Sequence, residues 1–455
     1  MSEDRPDEGP ELPPELAELL RQLGGPGILE QFRAVMASPE GPVNWEIARR
    51  LALQLAADGD RAPTDEERSQ AEQAQGIAEH WLDEGSLPAP PSAGRLAVVG
   101  RQSWVNAALD GLRPLVEPVA AASVRALGDL LAGELEGMEG LEDLPELEGF
   151  EGLEDLGGLD LGALGSVGDL LAPMGALLAG LQAGQVVGQL AHQMLGQFDL
   201  GIPTADRDTA YRLPVNVDGA FAGYGLDPTE VAVVLALQEG AHRRQYHAVP
   251  WLAGHVQGLV ASFAAGMRID RDRLEEVARD VMADVDPEDP ESLRSAMDRA
   301  AAFRVEPTPE QRRILERLQG VVSLLGAWAR HEVATAASDR LPNLPRIEEV
   351  LRRRRAEQGP GEEKLATLLG LDLQPDDETM GARFVAAVHA ARGLAGLRRA
   401  LAHPENLPDA EEVAEPARWL GRMAAGEDIP DDASSLFGPG EAPTEPPGDE
   451  RGEDS

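Results

Sequence analysis

Residues 225–251 read GLDPTEVAVVLALQEGAHRRQYHAVPW, and the reading of this stretch decides the fold. Asp227 is a good helix N-cap, Pro228 suits the first helical position, and Glu230 stands where a capping box takes its acid. Val231, Val234 and Leu235 supply an apolar face at helical spacing, and Gln238 and His242 continue it. Within this helix Gln238, Glu239 and His242 read QEGAH. That is one residue short of HExxH, in which two histidines one turn apart bind zinc from one face and the glutamate polarises a bound water. Gln238 stands in place of the first histidine, so the chemistry turns on that residue.

Working outward, a chain of 455 residues with 42% apolar content can bury a large core, and 4% aromatic content means that Leu, Ala and Val build it. The absence of cysteine excludes disulfides, thiolate metal sites and cysteine nucleophiles. Any metal must then be held by Asp, Glu or one of eight histidines. The net charge of −41 is unevenly placed: residues 1–15 carry −5, residues 134–160 carry −11, and residues 426–455 carry −9. No basic stripe outweighs this field, which argues against nucleic-acid binding through phosphates. The start, MSEDRPDEGPELPPEL, is acidic where a secretory signal needs a basic start and an apolar run, so a cytoplasmic location is expected.

Along the chain, residues 1–40 read as an acidic tail with short helices at Pro14–Leu23 and Gly27–Met36. Residues 41–132 read as an N-terminal helical part. Asn44 can cap WEIARRLALQLAAD, Thr64 and Glu67 form a capping box opening a helix to about Leu82, and a helical pair covers Gln102–Leu112 and Val116–Leu131. Residues 133–168 are an acidic Gly/Leu insertion. Its leucines recur every three residues and never build one helical stripe, so a flexible segment is expected in preference to a partner-docking one. Residues 169–425 read as the main helical body, and residues 426–455 as a disordered acidic tail.

Met174–Phe198 carries no charge, yet Gln182, Gln185, Gln189, Gln193 and Gln197 fall three or four apart. Five glutamines in hydrocarbon would be costly, so a core helix is expected and not a membrane span. Gly180, Gly184 and Gly188 form a second stripe that lets another backbone approach. Tyr211–Val217 has the best strand character. Asp270 can cap a helix, Thr308-Pro309-Glu310 opens a long one reaching about Ser338, and further helices follow at RIEEVLRRRRAEQG, Arg383–Leu401 and Ala410–Ala424.

GPVNWEIARRLA, SWVNAALDGLRPLVEPVA, GQFDLGIP, LQEGAHRRQYHAVPWL, SDRLPNLPRIEEVLRRRRAEQGPGEEKLATLLGLDLQP and ARGLAGLRRALAHPENLPD resemble the actinobacterial zincin-like family, labelled zinc-dependent metalloproteases. The resemblance spans about residues 40–425. It implies a mainly α fold, zincin-like with a minor β component, as a large helical body with disordered acidic tails. It also implies that Glu239 matches the water-activating glutamate and His242 the second histidine ligand. Trp328 in LLGAWARHEV matches the tryptophan of a later helix, which puts Gly326 at the place of a glutamate ligand. Gln238 and Gly326 thus stand at lost ligand positions, because a neutral amide is a poor zinc donor and glycine offers none. Arg330, one turn beyond Gly326, adds positive charge where a dication would sit, while His331 and Glu332 point about 140° and 240° away from position 326. Zinc, implied by the resemblance, is expected to be absent or weakly held, and His242 to be a helix-surface or core histidine bonded to a neighbour. Two functions follow: a non-catalytic zincin-like protein that uses the cleft to bind a protein or peptide partner, or an active hydrolase with a rebuilt ligand set of His242, Glu332 and His247.

Overall fold

The computed structural model describes residues 41–84, 87–138, 167–267, 307–357, 359–369 and 375–427. The N-terminal tail with its short helices, the C-terminal tail beyond Glu427, most of the acidic insertion and the Asp270 cap lie outside the described residues. In chain order the elements are α1 (Trp45–Ala56), α2 (Asp65–Leu82), β1 (Leu96–Val98), α3 (Arg101–Met138), α4 (Val167–Leu190), β2 (Ala210–Arg212), α5 (Pro214–Phe221) and α6 (Pro228–Ala248). They continue with α7 (Leu252–Ala265), α8 (Pro309–Ala337), α9 (Leu344–Ala356), α10 (Pro360–Leu369), α11 (Pro375–Ala400), α12 (Ala410–Ala414) and α13 (Pro416–Glu427). The chain is mainly α. Among the described residues the one sheet is a parallel pair, with Leu96 opposite Ala210 and Val98 opposite Arg212.

Local signals set several helix starts. Asn44 accepts from the Ile47 N–H, Thr64 and Glu67 close a reciprocal capping box, and Thr308 does the same with Gln311. Each cap satisfies donors that the first turn cannot bond internally. Asp227 caps α6 by accepting from the Thr229 N–H at 2.8 Å. Glu230 does not complete a capping box. It accepts from the backbone N–H of Asn343 at 2.9 Å and from the Asn343 amide at 3.2 Å, tying the start of α6 to the turn before α9.

The helical pair expected over 102–131 is one helix, α3, running through Pro114 and Pro118. Each internal proline costs about 3 kcal/mol, whereas a fully buried Leu or Val contributes roughly 1.5–3 kcal/mol. Leu109, Leu112, Leu115, Val116 and Val119 are all buried along this helix, so burial offsets the two breaks. The strand expected over Tyr211–Val217 is also shorter. Pro214 cannot donate to a ladder and instead opens α5, leaving three paired residues. The helix expected over Met174–Phe198 starts earlier, at Val167, and ends at Leu190. There the Asn216 amide donates to the Ala191 and Met194 carbonyls at 2.8 and 2.7 Å and holds the chain as it turns away.

The glycine stripe on α4 does meet a neighbouring backbone. A Cβ placed at Gly180 would lie 2.5 Å from the Asn44 carbonyl oxygen, one at Gly184 2.7 Å from the Ala48 oxygen, and one at Gly188 2.8 Å from Leu55 Cβ. Helix α1 therefore rests in a groove that only glycine can line. Gln182 and Gln185 face solvent. No helix among the described residues is long and apolar enough to cross a membrane. One core cluster runs from Val43 through α3, α4, α7 and α8 to Trp419, and a second packs α2, α6 and α9 together.

Candidate functional site

Helix α6 is buried on nearly all sides, not along one apolar face: Glu239, His242, Arg243, Arg244 and Gln245 are buried beside its Val and Leu residues. Its polar side chains hold the surrounding chain. Arg243 donates to the carbonyls of Ala93 and Asp208 at 3.1 and 3.0 Å. Arg244 donates to the Leu87 carbonyl at 2.9 Å and to the carboxylates of Glu79 and Asp83, each at 2.7 Å. Gln245 reaches the Leu325 carbonyl on α8 at 3.1 Å, and the Tyr246 hydroxyl donates to the Gly201 carbonyl at 3.1 Å. The sequence reading missed these anchors. Adjacent arginines ordinarily signal a solvated face, and the carbonyls and carboxylates brought in by distant segments make their burial tolerable.

Glu239 lies at the base of the site. Its Oε1 accepts from the Tyr211 N–H at 3.0 Å and its Oε2 from the Gln197 N–H at 3.2 Å. The carboxylate thereby pins β2 and the segment after α4 against α6. Gly196 permits this approach, since a Cβ there would come within 2.5 Å of Glu239 Oε2. Burial raises the Glu239 pKa to about 7, against the opposing pull of the nearby Arg212 guanidinium and the Tyr211 N–H. Arg212 is itself buried, and burial lowers its pKa.

His242, one turn along, is 7% exposed. Its ring stacks on Phe198 at 5.5 Å and 14°, and Nδ1 has no hydrogen-bond partner. Burial first, then the Arg330 and Arg355 guanidinium groups, lower its pKa to about 3, with a side-chain hydrogen bond from Gln245 opposing. The imidazole is neutral at physiological pH.

Gln238, Glu239, His242, Gly326 and Arg330 line one cavity of about 510 Å³ between α6, α8, α9 and the 195–201 segment. The helix geometry carries Gln238 and His242 to one face and sets Gly326 across from them on α8. A Cβ built at Gly326 meets Arg330 Nη1 at 3.2 Å and nothing else within 4 Å. The other residues considered as ligands lie elsewhere. His331 and Glu332 line a separate cavity of about 250 Å³ with His389, whose ring stands 4.5 Å from that of His331. His247 Nε2 sits 2.9 Å from Asp208 Oδ1.

The residues present do not fit a zinc ion. His242 is the one imidazole in the cavity wall, and among the described residues no group of three His, Asp or Glu side chains converges on a metal position. The cavity wall carries Arg212, Arg330 and the run Arg352 to Arg355, against the carboxylates of Asp199, Glu239, Glu349 and Glu362.

Comparison with known proteins gives a family model described as zincin-like metallopeptidase, which matches residues 43–420. No curated protein matches the chain. A crystal structure described as "a putative hydrolase with a novel fold" from Chloroflexus aurantiacus aligns with a TM-score of 0.53 and 23% identity, covering 84% of this chain and 99% of that one. At that identity the likeness is one of fold.

Proposed function

Because the chain belongs to the zincin-like metallopeptidase family, matched over residues 43–420, we propose that it keeps the family's cleft as a non-catalytic binding surface or scaffold, without metal-dependent peptide hydrolysis. One observation carries this reading. At the motif positions the cavity offers one imidazole, an amide and a glycine, and Arg330 stands beside the glycine. A dication there would meet one good donor and an adjacent guanidinium charge. Glu239, the counterpart of a water-activating base, has both carboxylate oxygens bonded to backbone N–H groups and acts as a structural staple. The rebuilt ligand set of His242, Glu332 and His247 gains no support, since the three side chains lie in separate surroundings. A protein or peptide partner, with no nucleic acid, belongs to the same proposal and rests on the charge balance of the chain.

Elemental analysis of the purified protein after dialysis against zinc tests the reading. The expected zinc content is well below one equivalent, with no peptide cleavage. One equivalent of zinc that disappears in His242→Ala, together with peptidase activity, overturns it.

A further inference from the structure

The first half of α6 walls a second cavity, of about 220 Å³, together with α2, the end of β2 and α5. Its sides are apolar and include Val217, Phe221, Leu226, Val231 and Leu235. It meets solvent at Asp218, Ala222 and Pro228, which are exposed. Arg61 bridges two carboxylates of this rim, Glu67 and Asp218, each at 2.6 Å. Arg212 and Leu235 line this cavity and the larger one alike, so they stand between the two.

Arg212 is the one cationic side chain in this lining, and it is more than nine-tenths buried. Among the described residues its guanidinium makes one hydrogen bond, a long one of 3.4 Å to the Leu195 carbonyl. Glu239 and Asp199 support its charge from nearby. No hydrogen bond joins either of them to it, and both accept from backbone N–H groups instead. The charge is therefore answered, but most of the N–H donors are not. Buried donors ordinarily find an acceptor, and one left without it costs free energy.

A second group in the same lining is incomplete in the opposite sense. Gln75, on α2, is 5% exposed. Its Nε2 donates to Glu79 Oε1 at 2.9 Å and to the Ala93 carbonyl at 3.3 Å, which fixes the orientation of the amide. Its Oε1 then has no partner. One small apolar cavity thus carries unspent donors on Arg212 and an unspent acceptor on Gln75, the pattern of a few placed polar groups among apolar walls that orients a ligand. A carboxamide offers the complement of both, a carbonyl oxygen and an N–H. A neutral head also suits the electrostatics, since Glu239 and Asp199 already balance Arg212 and the rim holds two further carboxylates.

We propose that this cavity binds a small neutral molecule whose apolar body lies among Phe221, Val231 and Leu235 and whose carboxamide accepts from Arg212 and donates to Gln75. An apolar cavity of about 150 Å³ takes up benzene, so about 220 Å³ suits one ring or a branched chain with a short polar head. Hydrogen bonds to a charged donor such as a guanidinium are stronger than neutral ones, which places the carbonyl oxygen on Arg212. The proposal does not depend on how the larger cavity is used.

Ligand-observed NMR titration of the full-length protein with benzamide tests the proposal, with toluene and benzoate as comparison probes. Saturable one-to-one binding of benzamide is expected, on the order of tenfold tighter than toluene, which has no acceptor. Benzoate should bind more weakly than benzamide, because it brings a negative charge among carboxylates. Arg212→Met should weaken benzamide by on the order of tenfold and leave toluene unchanged, a split that a merely structural arginine would not produce. Ala232→Phe, at a half-buried position in the wall, should fill the space and abolish binding of both while the circular dichroism spectrum stays native. If Arg212→Met does not fold, Ala232→Phe decides. No saturable benzamide binding, equal affinity for toluene, tighter binding of benzoate, or binding undiminished in Ala232→Phe overturns the proposal. Zinc content does not enter these outcomes, so the result stands apart from the non-catalytic reading of the cleft.

Discussion

Gly184 on α4 offers a test in which two physical effects predict opposite signs. Replacing an interior helical glycine by alanine raises helix propensity by about 1 kcal/mol. If propensity ruled, Gly184→Ala would stabilise the protein. The added Cβ, however, would stand 2.7 Å from the Ala48 carbonyl oxygen, 2.9 Å from Ala48 Cα and 3.1 Å from Leu51 Cβ. Ordinary van der Waals contact begins near 3.4 Å, so the methyl group is about 0.7 Å too close to the oxygen. That oxygen is backbone and cannot swing aside. Helices α1 and α4 must part, and Ala48, Ala52 and Ala56 on α1, all fully buried, lose their packing. Overpacking of this kind costs about 1–3 kcal/mol, which outweighs the propensity gain in most of that range. The net expectation is a loss of roughly 0–2 kcal/mol, with a larger loss for Gly184→Leu. Urea denaturation followed by circular dichroism measures it, with Gly258→Ala on α7 as the control, since nothing lies within 4 Å of a Cβ there. The control should be neutral or slightly more stable. A Gly184→Ala protein as stable as the Gly258→Ala control would refute the close helix crossing.

Three further outcomes follow from the site. Glu239→Ala leaves the Tyr211 and Gln197 N–H groups without acceptors and should destabilise by roughly 2–4 kcal/mol, measured by urea denaturation; an unchanged midpoint would remove its structural role. His242, lowered from 6.5 to about 3, should resist protonation in the folded state. Its contribution to stability is then present above pH 6.5 and is lost as the pH falls towards 3, so wild type should lose stability faster than His242→Phe over that window; parallel pH curves would show an accessible imidazole. Last, Gln238→His with Gly326→Glu and Arg330→Asp supplies two histidines and a carboxylate across the cavity and removes the opposing charge. Calorimetry should show markedly tighter zinc binding than the parent, and equal affinities would mean that Gly326 does not occupy a ligand position.

The amino-acid sequence by itself determined what depends on neighbours a few residues apart. The caps at Asn44, Thr64, Asp227 and Thr308 are legible because donor and acceptor lie within three residues. The Gly180, Gly184 and Gly188 stripe is legible because helical spacing alone stacks the three on one side. The same rule places Gln238 and His242 together on α6, and the family resemblance identified Gly326 as the third position to inspect. Tertiary structure decided everything that joins distant segments. It carried α3 through two prolines, because the buried face of that helix outweighs two lost bonds. It turned Glu230 from a capping residue into a partner of Asn343, 113 residues away. It bonded Glu239 to the backbone of two other segments, and buried Arg243 and Arg244 against carbonyls from the 87–93 segment and Asp208. It also gathered arginines from β2, α8 and α9 into the wall of one cavity. None of these has a local signature, since a side chain's partner across the fold depends on where the chain returns, and that is set by the packing of the whole core.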